Sequence, residues 1–129
     1  MKKYILFTFV ALSFTSTSQA EECSWENRTK YEVESCLVDL VDTRERDLKV
    51  MLARVNTVVV SQEEYRVSPN LSKDFEQDTK VFESYRNSFC NFYSRALGAH
   101  MGTGLYSTSL ECKARVLQQR IALLRTIVK

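Results

Sequence analysis

Four cysteines, a single histidine and scattered carboxylates are the side chains of this 129-residue chain from which covalent, metal or acid–base chemistry could be built. Cys23, Cys36, Cys90 and Cys112 make an even set with no C-x-x-C pair. Zinc sites draw ligands from such close spacings, so metal binding is not expected, nor any other cofactor. An even cysteine count in a small exported domain instead predicts two disulfides, and oxidised sulfur is no nucleophile. His100 sits between Gly98 and Gly102 with no nucleophile motif or second ligand beside it, and it reads as an exposed loop residue. Glu63–Glu64 and Glu76 with Asp78 could imitate a glycosidase carboxylate pair, but acids scattered on helix faces are ordinarily solvated. The expectation is therefore a protein that is not an enzyme.

These side chains need elements to hold them. Lys2 and Lys3 precede an apolar stretch, Tyr4 to Phe14, too short to span a bilayer as a helix. Ser18-Gln19-Ala20 follows as a small-x-small cleavage signal, so residues 1–20 are expected to be a removable signal peptide and residues 21–129 the mature domain. Of the 18 basic and 16 acidic residues, the leader holds two lysines and no acid, which leaves the mature part with 16 of each. A neutral domain gives no reason to expect nucleic acid as partner, and no second apolar segment suggests stable membrane insertion once the signal is removed. A periplasmic or secreted location is expected.

One proline and three glycines in the whole chain suit long helices. Val33, Leu37, Leu40, Val41, Leu48, Met51, Leu52, Val55 and Val59 recur mostly at spacings of three and four, predicting a helix from about Arg28 to about Val59. Residues 61–67 read as a connection. Ser68-Pro69 reads as an N-cap followed by proline at the first helical position, opening a second helix that runs to about Tyr93. Its apolar stripe is Phe75, Phe82, Tyr85, Phe89 and Phe92. Gly98, Gly102 and Gly104 mark a loop over residues 94–106. Thr108-Ser109-Leu110-Glu111 has the form of a capping box opening a third helix, with Leu110, Leu117, Ile121 and Leu124 inside.

Short connections between three helices predict an all-α, antiparallel three-helix domain stapled by two disulfides. Antiparallel first and second helices would bring Cys90 near the level of Cys36. The expected pairing is Cys36–Cys90 with Cys23–Cys112, and sequential pairing stands close behind it. Arg86 and Arg120 lie among apolar residues and are expected to hydrogen-bond Asp39, Asp42 or loop carbonyls. Trp25, Tyr31, Tyr65 and Tyr106, near chain ends or loops, are the aromatics most suited to a partner.

The framework Cys23-x12-Cys36, Phe82-x-x-Tyr85-Arg86-x3-Cys90, Gly102-Thr103-Gly104 and Cys112-x7-Arg120-x3-Leu124 resembles the LprI-type lysozyme-inhibitor family over nearly the whole mature part. Lys49, Thr79 and Leu117 depart from the family's pattern, which often has Asn, Gln and Thr there. The resemblance implies a small secreted or periplasmic helical domain in which Phe82, Tyr85, Arg86 and Arg120 are structural. It further implies a non-catalytic protein-binding role, in its sharpest form inhibition of lysozyme or a related wall-degrading enzyme. The binding residues would be Gly102, Thr103, Gly104, Tyr106 and Ser107, on a stiff loop that loses little entropy on docking. The alternative is an envelope interaction or toxin-neutralising module with another partner.

Overall fold

The computed structural model describes residues 22–65, 68–101 and 104–129, with the backbone alone at 99–101. The described residues form three helices: α1 Lys30–Glu64, α2 Leu71–Met101 and α3 Leu105–Arg125. The described residues include no strand. Residues 1–21, which include the expected signal peptide, and Arg66, Val67, Gly102 and Thr103 lie outside them.

The start of α1 is fixed by a capping box that the sequence carries at Thr29 and Glu32. The Thr29 hydroxyl accepts from the Glu32 amide, and the Glu32 carboxylate accepts from the Thr29 amide at 2.7 Å. These bonds hold the Glu32 carboxyl below its usual range, the backbone amide of Thr29 contributing most. The inward stripe of α1 is Val33, Leu37, Val41, Arg44, Leu48, Met51, Val55 and Val59, spaced by threes and fours. It meets Leu110, Ala114, Leu117, Ile121 and Leu124 of α3 in the main core. Phe75 and Phe82 of α2 pack against this core from the side. α3 is the central element, since it packs extensively on both α1 and α2, which touch each other far less.

Helix ends differ from expectation in three places. α1 continues through Glu64, because the β-branched Val58-Val59-Val60 run packs Val59 into the core instead of fraying. α2 opens at Leu71 and not at Pro69. Asn70 turns the chain at φ 67°, a left-handed conformation asparagine tolerates better than most residues. The exposed first turn is then capped from the neighbouring helix: Glu63 accepts from the Ser72 amide at 2.7 Å and from its hydroxyl at 2.5 Å. Finally, α2 runs through Gly98 to Met101, and α3 already begins at Leu105, with Gly104 as its N-cap. Thr108 is therefore inside α3, its amide donating to the Gly104 carbonyl, and the Thr108–Glu111 capping box does not form. Gly98 has a packing role: a Cβ there would stand 2.2 Å from Leu105 Cδ2.

The two disulfides are Cys23–Cys36 and Cys90–Cys112. The expected cross pairing, Cys36–Cys90 with Cys23–Cys112, does not form. Helix register is the reason. Arg86 bonds Glu45 at 3.1 Å, so the antiparallel α1 and α2 are aligned with Cys90 level with Val41, about 7–8 Å along the axis from Cys36. On the other side, Asp78–Arg120 and Gly98–Leu105 set α2 against α3 with Cys90 facing Cys112. Cys36 is closed locally by the segment before α1, which turns back at Asn27, φ 56°.

Candidate protein-binding surface

The buried cysteine pair of α2 and α3 anchors the pole at which the candidate partner residues lie. Cys90 and Cys112 pack with Val116 among Phe82, Phe89 and Tyr93. Two turns beyond each cysteine, Leu97 and Leu105 are both close to half exposed, and Tyr106 is 56% exposed. Leu105 lies against Gly98, so the two helix ends and their apolar side chains form one knob at this pole.

Of the expected partner residues, Gly102 and Thr103 lie outside the described residues, and Gly104 is the α3 N-cap. Ser107 is 2% exposed and donates to the Glu34 carboxylate of α1 at 3.0 Å, a bond that ties the pole to α1. Tyr106 is the described side chain of that set which reaches solvent. The backbone of His100 belongs to the last turn of α2, not to a loop. Trp25, Tyr31 and Tyr65 are also exposed, at other places on the surface.

Arg86 and Arg120 act inside the bundle, with acids other than Asp39 and Asp42. Arg86 pairs with Glu45 of α1, and Arg120 pairs with Asp78 of α2 while its guanidinium lies 5.1 Å from the Phe82 ring centroid. The same register that separates Cys36 from Cys90 carries Arg86 past Asp42. Sequence reasoning missed a third arginine. Arg44 is 8% exposed, donates to the Ala114 carbonyl at 2.7 Å and meets Glu22 at 3.2 Å. Its signal was available: the α1 stripe jumps seven residues from Val41 to Leu48, and Arg44 fills the gap.

The aromatic stripe of α2 divides between two faces. Phe75, Phe82, Phe89 and Tyr93 are partly buried against the cores. Tyr85 is half exposed and stacks on Phe89 with centroids 5.3 Å apart, and Phe92 is 61% exposed. With Val81, Ser84 and Ser88 they line a shallow outward groove of about 520 Å³.

Among the described residues, no cluster of histidine, cysteine and acids is arranged to hold a metal ion, and no helix is long and apolar enough to cross a membrane. Comparison with protein-family models, characterised proteins and solved structures finds no match to this chain. The likeness to the LprI-type family accordingly rests on the residues quoted above.

Proposed function

We propose that the mature chain is a non-catalytic protein-binding domain of the bacterial periplasm or exterior, and that its contact surface is the knob at the α2–α3 turn. The observation that carries this reading is the joint exposure of Leu97, Leu105 and Tyr106 on backbone held by a buried disulfide. Apolar and aromatic side chains on a rigid support are what productive interfaces use, because little ordering entropy is lost on docking. Both cysteine pairs are oxidised, which suits an exported protein. The cysteine framework and its resemblance name the first partner to test, a lysozyme or related wall-degrading enzyme.

The test is inhibition of an animal-type lysozyme on bacterial wall suspensions by oxidised residues 21–129. Dose-dependent inhibition is expected, weakened by Tyr106→Ala about tenfold or more, as for a central aromatic anchor. Absence of inhibition at micromolar excess of folded protein removes lysozyme as the partner. Inhibition untouched by Tyr106→Ala moves the surface away from this pole.

A further inference from the structure

We propose that the outward face of α2 binds a second copy of this chain, antiparallel, about a two-fold axis passing between Arg86 and Asn87. The argument is positional. Taken about that midpoint, the six groove residues pair entirely among themselves: Val81 falls opposite Phe92, Ser84 opposite Phe89, and Tyr85 opposite Ser88. Tyr85 and Phe92, the two exposed rings, thus meet a serine and a valine and fill space the other copy leaves, while Phe89 is partly buried against its own core. An isologous contact requires this self-complementarity, in which one residue faces another and the reverse holds across the axis.

The flanking charges obey the same symmetry. Just beyond the groove, exposed Asp78 on one side and exposed Arg95 on the other are equidistant from the midpoint. Antiparallel pairing therefore sets each Asp78 near the partner copy's Arg95. Asp78 already accepts from Arg120, but its side chain remains more than half exposed and has room for a second donor. The face from Asp78 to Arg95 is only about 26 Å long, so the contact belongs among small, weak interfaces. This surface is separate from the Tyr106 knob, and either can fail alone.

Sedimentation equilibrium of oxidised residues 21–129 tests the proposal, with circular dichroism confirming that each variant is helical. A monomer–dimer equilibrium is expected at roughly 10–100 µM, the range of weak interfaces. Ser88→Tyr, which overfills the space that the partner copy's Tyr85 would occupy, should weaken it about tenfold or more. Adding Tyr85→Ser exchanges the two side chains and should restore most of the affinity. Arg95→Glu, outside the groove, should weaken the dimer by about threefold to tenfold. A wild-type chain that stays monomeric to about 300 µM, well beyond the weak-interface range, overturns the proposal. So does a Ser88→Tyr chain that dimerises normally, a double variant no better than the single, or an Arg95→Glu chain with unchanged association.

Discussion

Arg44 shows how one residue can join elements that the hydrophobic pattern treats separately. It occupies a core position of α1, yet its guanidinium bonds the α3 backbone and the segment before α1. Removing it leaves the Ala114 carbonyl without that donor and opens space among apolar neighbours. Arg44→Ala should therefore cost about 2–4 kcal/mol, combining the lost charge-assisted bond with poorer packing. Its partner Glu22 is more than half exposed, so Glu22→Ala should cost less than about 1 kcal/mol. Urea denaturation of the two variants checks both, and equal losses would contradict this division of roles. Arg44 also marks a limit of sequence reading. An arginine in an apolar stripe can look like a gap in the periodicity, because the pattern reports hydrophobicity while the position requires reach and a donor.

At the scale of elements, the joint between α1 and α2 depends on a carboxylate. Glu63 caps the first turn of α2 through Ser72, and the hydroxyl bond, then the amide bond, hold its carboxyl below the usual range. A lowered folded-state value gives a stabilisation present above the unfolded value of 4.5 and lost as pH falls through the folded value. Thermal melts should thus show stability falling below about pH 4.5, and Glu63→Gln should make that fall shallower. A pH profile unchanged by the substitution would mean the cap does not contribute.

The helices themselves were largely legible. Seven of the nine apolar positions assigned to α1 are buried, as are the four assigned to α3, since threefold and fourfold spacing records a single buried face. α2 was less readable because its rings supply two faces, and ring content alone does not say which face a neighbour covers. The ends were misread where local signals competed with packing. Gly98 looks like a helix breaker, but α2 passes through it, and its bare Cα is where the Leu105 side chain packs.

For the whole molecule, the bundle depends on α3 and on the disulfide that joins it to α2. The loops closed by the two bonds differ modestly, with sequence separations of 22 for Cys90–Cys112 and 13 for Cys23–Cys36. Loop length alone gives about 3 kcal/mol for each, differing by roughly 0.5 kcal/mol. Cys90 and Cys112 are also packed among aromatic side chains, whereas Cys36 is only partly buried. Replacing Cys90 and Cys112 by alanine should therefore destabilise the fold more than replacing Cys23 and Cys36, as measured by melting temperature. Equal effects would show that burial around the sulfurs adds nothing to loop closure.

The sequence allowed three ways of joining four cysteines, and only the three-dimensional register chose between them. The chosen pattern links each cysteine to its nearest neighbour along the chain. A chain that emerges from its amino end and meets an oxidant will present Cys23 with Cys36 first and Cys90 with Cys112 later. First encounters then yield the native bonds, and no reshuffling through a mixed disulfide is required. A chain with this connectivity can mature with an oxidase and without an isomerase.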